Sequence, residues 1–222
     1  MLHRRQYSES SLLIEAFTPD LGRVGLIARG ARGTKSALPA LLQPFQELRL
    51  DLFGSGDLLR LTRAEAAAPA LLLRSERTLA GLYCNEMLVR LVPRADAQPQ
   101  LYQRYRAVLI ELVDTPALAW ALRCFERDLL VALGYAGDFA NDAQGNSLDS
   151  QGRYRFQPEH GFVAVADASA GYSGGALLAM AGAAEPPPEQ LRELRRLFRE
   201  LISQQLRGEP LQSWGLLAGL NR

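Results

Sequence analysis

The hydrophobic period changes from strand-like to helical near Ala64, and that change constrains the fold more than any other feature. Before it the period is 2. Leu48, Leu50 and Leu52 alternate with Glu47, Arg49 and Asp51, the mark of a half-buried strand. Gly54-Ser55-Gly56-Asp57 is a turn, and Leu58–Thr62 returns as the paired strand. Ser11–Phe17 and Arg23–Arg29 read as strands around Pro19-Asp20-Leu21-Gly22. Several short strands this close together predict a small β-barrel over residues 1–66, with the OB-fold a leading candidate.

After Ala64 the period becomes helical. Leu72, Leu79, Tyr83, Met87 and Leu91 share one face, and Pro93 ends that helix. Leu101, Tyr105, Val108 and Leu112 form a second, ended before Pro116. Leu118, Leu122, Phe125, Leu129 and Leu133 form a third, with Gly134 as its C-terminal cap. Short connections predict that these three pack as a bundle. Residues 135–170 are irregular and rich in Gly, Asn and Asp, with short strands at Tyr154–Gln157 and Phe162–Val165. Helices resume over Ser173–Ala183 and Pro187–Leu206. The expected class is α+β: a barrel over 1–66, then a mostly helical domain over 67–222.

Charge gives little overall direction. The 222 residues carry 25 Lys+Arg against 24 Asp+Glu, so a nucleic-acid or membrane surface must be a local patch. Cys84 and Cys124 lie in separate apolar stretches and read as core thiols rather than a disulfide. With His3 and His160 they cannot supply the paired ligands of a structural zinc, so no metal and no cofactor is expected. No apolar run is long enough to span a membrane and no signal peptide is recognisable, which predicts a cytoplasmic protein.

Two catalytic strings fail. Gly171-Tyr172-Ser173-Gly174-Gly175 is one residue from the GDSGG loop of chymotrypsin-like proteases, but Tyr replaces the Asp and the surrounding pattern is helical. Gly30-Ala31-Arg32-Gly33-Thr34-Lys35-Ser36 lacks the Gly before Lys that a phosphate loop requires. No catalytic residue is assigned.

What remains is a basic window. From Leu21 to Gln46 there is no acidic residue, while Arg23, Arg29, Arg32 and Lys35 are interleaved with Gly30, Gly33, Thr34 and Ser36. Arg4 and Arg5 lie on the neighbouring strand. Glycines let a backbone approach phosphates closely and cations neutralise them. These six cations are the candidate DNA contacts, and Tyr7 and Phe45 are candidate base-stacking aromatics or core residues.

An ordered set of strings resembles the bacterial RecO recombination-mediator family. It begins with Leu2-His3-Arg4-Arg5-Gln6-Tyr7-Ser8-Glu9-Ser10-Ser11-Leu12, Phe17-Thr18 and Gly22-Arg23-Val24. Ala28-Arg29-Gly30-Ala31-Arg32, Leu42-Gln43-Pro44-Phe45, Ala64-Glu65 and Tyr83-Cys84-Asn85-Glu86-Met87-Leu88 follow. Arg123-Cys124-Phe125-Glu126, Leu129-Leu130, Leu133-Gly134-Tyr135, Tyr154-Arg155-Phe156, Gly161-Phe162 and Gly208-Glu209-Pro210-Leu211-Gln212-Ser213 complete it. The match is collinear over nearly the whole chain.

The resemblance implies a non-enzymatic DNA-repair factor with an N-terminal OB-fold and a helical domain carrying a zinc-ribbon-like insertion at 135–170. It implies binding of single- and double-stranded DNA and annealing of complementary strands. It also implies docking of the acidic C-terminal tail of single-stranded-DNA-binding protein, and loading of RecA together with RecR. A monomer in the cytoplasm, associated with the nucleoid, is expected. Tail docking falls to Arg123 and Arg127, close to Leu122, Leu130 and Leu133; the alternative is that both cations pair with Glu126, Asp128 or other acids. This sequence departs from the family in three places. Cys pairs are absent from the insertion, as in the zinc-free branch. Gly25, Thr34 and Pro39 stand where relatives often have basic residues, and relatives usually carry a short extension before the position of Leu2. A protein adaptor, with an OB-like barrel and no DNA role of its own, is the competing reading; a hydrolase at Ser173 is a third.

Overall fold

The computed structural model describes residues 1–33, 36–167, 169–182, 184–206 and 208–218. Two compact units form, one from Met1–Asp114 with the segment beginning at Leu211, the other from Thr115–Pro210.

The first unit starts with β1 (His3–Gln6), β2 (Leu12–Thr18) and β3 (Gly22–Ala28). A short helix α1 (Leu38–Leu41), β4 (Leu48–Phe53) and β5 (Leu58–Ala66) follow. The sheet order is β1-β2-β3-β5-β4, antiparallel except for the parallel β3–β5 pair. The alternation seen in the sequence is what buries its inner face. Leu12, Ile14 and Ala16 on β2 meet Val24, Leu26 and Ala28 on β3, with Leu42, Leu61 and half-buried Leu48, Leu50 and Leu52 around them. Thr62 is skipped where the β4–β5 register shifts beside Leu52, and its hydroxyl donates to Asp51 O at 2.8 Å.

No ladder joins β4 to β1 among the described residues, so the structure shows an antiparallel-rich sheet rather than a barrel closed by hydrogen bonds. At that seam Phe45 N donates to Met1 O at 3.1 Å, and Met1 N to Gln46 O at 2.9 Å.

Helices α2 (Glu76–Leu91), α3 (Pro99–Glu111) and α7 (Gln212–Ala218) belong to this same unit. Asn85 of α2 donates to Leu2 O at 2.8 Å and accepts from the Tyr105 hydroxyl of α3 at 2.6 Å. Glu86 accepts from the Gln212 and Ser213 backbone amides at 2.7 and 2.9 Å, which ties α7 to α2. Gly22 adopts φ +66° with its Cβ position 1.9 Å from Asp96 O, so no side chain fits there.

The second unit contains α4 (Leu118–Ala132), β6 (Arg153–Gln157), β7 (Gly161–Ala164), β8 (Tyr172–Ser173), α5 (Gly174–Ala181) and α6 (Pro188–Gln205). The three-helix bundle expected from the sequence is therefore divided: α2 and α3 go with the large sheet and α4 does not. Strands pair in the order β7-β6-β8. Phe139 meets Phe162 and Phe198 with ring centroids 5.3 and 5.9 Å apart. Arg153 donates to Ala170 O, Gly171 O and Glu193 at 3.0, 2.9 and 2.8 Å. Among the described residues no three His, Cys, Asp or Glu side chains converge as metal ligands.

Irregular stretches of this unit are closed by Asp side chains. Asp138 accepts from Ala140 N at 2.8 Å and from the Asn141 amide at 2.5 Å, and Asp167 from Ser169 N at 2.8 Å. The Ala140 amide and then Asn141 hold the Asp138 carboxyl below its ordinary range, and the Ser169 hydroxyl and amide do so for Asp167. A lowered folded-state pKa gives stability that is present above the unfolded value and is lost as pH falls through the folded one. The protection of the Ala140 and Ser169 amides against exchange, corrected for the intrinsic pH effect, should thus be constant from neutrality to about pH 4 and fall only below it. A loosening centred near pH 6 would contradict this.

Among the described residues no helix is long and apolar enough to cross a membrane. Cys84 is buried, Cys124 is half-buried, and they form no disulfide.

Candidate nucleic-acid interface

Two loops meet at one end of the large sheet. Tyr7 N donates to Ser11 O at 3.2 Å, carrying the β1–β2 ladder one step past β1. The chain leaving β3 then hooks onto this turn: Arg32 N donates to Ser10 O at 3.0 Å and Arg32 Nη1 to Ser8 O at 2.9 Å. Gly30, at φ +67°, accepts from Gly33 N at 3.1 Å and reverses the chain between the two arginines.

The structure groups some of the candidate cations and separates others. Arg5, Arg29 and Arg32 are exposed around the paired loops, with Glu9 the one acid in the turns they flank. Among the described residues the Arg5 and Arg29 side chains make no hydrogen bond or ion pair within the protein. Arg4 points the other way, to Pro39 O at 2.6 Å. Arg23 is half-buried and donates to Val92 O at 2.8 Å and Glu15 at 3.0 Å. Lys35 lies outside the described residues. Tyr7 is 59% exposed beside Arg5, whereas Phe45 is a core residue at 9%.

On α4 the candidate partner residues are closely packed. Arg123 is 7% exposed and its Nη2 pairs with Glu126, itself 1% exposed. Arg127 donates to Asp128 at 2.9 Å and to Met180 O at 2.5 Å. Leu122 and Leu130 are buried and Leu133 is half-buried. Both arginines thus make the acid contacts weighed as the alternative for them. Ser173 is the N-cap of α5, its Oγ accepting from Ala176 N at 3.3 Å, and His160 Nδ1 lies 3.1 Å from Pro158 O. That glycine-rich string is a strand-to-helix turn, in which a Cβ on Gly174 would lie 1.9 Å from Asp149 O.

Comparison with known proteins assigns both parts of the chain. Residues 1–70 match the family profile described as Recombination protein O N terminal, and residues 73–215 the one described as Recombination protein O C terminal. The chain belongs to the RecO family. A relative named DNA repair protein RecO, from Xanthomonas oryzae pv. oryzae (strain PXO99A), is 41% identical over all of this chain and 95% of its own length. RecO of Stenotrophomonas maltophilia (strain K279a) is 38% identical over 99% of this chain and 95% of its own. The family junction, between residues 70 and 73, falls in the segment between β5 and α2.

Proposed function

We propose that this chain is a non-enzymatic mediator of DNA repair and recombination that grips DNA with the paired loops of its N-terminal sheet. The supporting observation is the grouping of Arg5, Arg29 and Arg32 on two hydrogen-bonded loops, opposed there by Glu9 alone. Such a surface neutralises phosphates without reading base edges, which suits annealing of any complementary pair. The strand order, with its parallel β3–β5 pair and the Met1 bridge toward β4, supports an OB-type barrel, a scaffold that binds oligonucleotides through its sheet face and loops. In this reading the protein binds single and double strands and anneals complements. It docks the tail of single-stranded-DNA-binding protein near Arg123 and Arg127, and acts with RecR to load RecA. The insertion at 135–170 is held by its aromatic cluster and Asp-closed turns rather than by zinc.

The adaptor reading draws support from an apolar cavity of about 610 Å³ in the first unit, lined by Leu26, Leu50, Leu52, Tyr105 and Leu109 among others. A strand-annealing assay with purified chain, with and without single-stranded-DNA-binding protein, separates the two. A mediator accelerates annealing of naked strands and of covered ones. An adaptor leaves the rate of naked strands unchanged, and that result would overturn the proposal.

A further inference from the structure

The large sheet has two free edges, and they differ in chemistry. β1 presents Arg4 and Arg5, adjacent cations that repel a second strand of the same kind. β4 presents Leu48-Arg49-Leu50-Asp51-Leu52-Phe53, and its burial alternates at every step. The three leucines lie on the core side and border the apolar cavity, while Arg49, Asp51 and Phe53 are exposed on the other side. No Lys, no Pro and no inward-pointing charge guards this edge.

The β4–β5 ladder decides which backbone groups are free. Glu47 O accepts from Ala67 N at 3.0 Å, and Asp51 O accepts from the Thr62 hydroxyl at 2.8 Å. Backbone groups alternate in direction along an antiparallel strand, so Leu48, Leu50 and Leu52 turn their amides and carbonyls to the open side. Among the described residues no strand pairs with β4 on that side. The edge is therefore a template for one more strand, with apolar side chains on its inner face and charges on its outer face.

We propose that this strand is β4 of a second copy of the chain, joined antiparallel about a two-fold axis at Leu50. The segment Leu48-Arg49-Leu50-Asp51-Leu52 is self-complementary in that arrangement. Leu50 exchanges both backbone hydrogen bonds with the partner's Leu50, and Leu48 does so with the partner's Leu52. On the outer face Arg49 stands opposite the partner's Asp51, and Asp51 opposite the partner's Arg49. Glu65 already faces Arg49 across the β4–β5 pair, and Arg63 faces Asp51. The outer row across the junction thus alternates in sign: Glu65, Arg49, the partner's Asp51, the partner's Arg63. The register is unique. A slip of two residues one way sets Arg49 against the partner's Arg49, and the other way sets Asp51 against the partner's Asp51. A slip of one residue turns the leucines to opposite faces.

The family resemblance implies a monomer, and a single added ladder lies at the small end of interface sizes. The pair therefore forms and separates over roughly micromolar concentrations. The inference goes beyond the DNA-binding reading and does not depend on it, because its test reads mass alone.

The test is sedimentation of the full chain, without nucleic acid, over roughly 1–200 µM. The wild type should pass from monomer to dimer across this range. Arg49→Asp sets carboxylates face to face at both outer pairs, and Asp51→Arg sets guanidinium groups face to face. Each variant alone should dimerise about tenfold or more weakly than the wild type, with an unfolding midpoint near it because both positions are exposed. An equimolar mixture of the two variants restores opposite charges at both pairs and should regain dimers at close to wild-type strength. A wild type that stays monomeric throughout would overturn the proposal. So would single variants that dimerise as well as the wild type, or a mixture that associates no better than its components.

Discussion

Replacing Arg123 with glutamate should destabilise the unit formed by residues 115–210 by about 3–5 kcal/mol. The Arg123 and Glu126 side chains are almost wholly enclosed, at 9% and 1% exposure, and their charges face each other three residues apart on α4. The substitution removes a positive partner of a buried carboxylate and adds a second carboxylate beside it. Removing one member of such a pair is far costlier than removing both, because the survivor stays buried without the opposite charge it faced. Arg123→Met combined with Glu126→Leu should accordingly lie within about 1–2 kcal/mol of the wild type. Urea unfolding of the three proteins measures this, and an unchanged midpoint in Arg123→Glu would contradict it. The consequence for partner binding is practical. A charge reversal at Arg123 would unfold its surroundings, so a loss of the proposed tail docking in that variant would not report on the site. Arg123→Lys keeps the charge, gives up the guanidinium fork, and is the variant that tests tail recognition on a folded protein.

The basic loops were legible in the sequence because their signal is an absence. No acid occurs from Leu21 to Gln46, and that held whatever the chain did locally. The fates of Arg4 and Arg23 were not legible. They were decided by the carbonyls of Pro39 and Val92, which are 35 and 69 positions away. Neighbours across the sheet were hidden for the same reason. Alternation shows which side of its own strand a residue takes, but only the register shows that Phe53 stands next to Arg60 and Arg60 next to Ile27.

The elements divide along similar lines. β2 to β5 and α2 to α6 left periodic traces, and their centres were readable. The start of α2 was not: Leu72 fits the helical face, but Ser75 at φ +50° breaks the chain and the helix begins at Glu76. α7 went unseen because seven residues carry too little periodicity, and what fixes them is Glu86, more than 120 positions earlier. The expected bundle failed because short connections show that helices follow one another, not which layer each covers. Phe17 of β2 meets Tyr102 and Tyr105 of α3 at 5.9 and 6.3 Å, drawing that helix to the sheet.

The second large effect concerns the loops themselves. Changing Arg29, Arg32 and Lys35 together to alanine should cost about 1–3 kcal/mol of DNA binding, since each cation releases counterions when it meets a phosphate. Arg29 and Arg32 are exposed, so their loss should leave the unfolding midpoint near that of the wild type. The decisive measurement is the salt dependence of oligo-dT binding between about 50 and 200 mM salt. For the wild type the logarithm of affinity should fall linearly with the logarithm of salt, and the triple variant should show a slope shallower by about 2, as expected for three lost contacts to a single strand. A triple variant that is fully folded and keeps the wild-type slope would contradict the claim that these loops hold DNA.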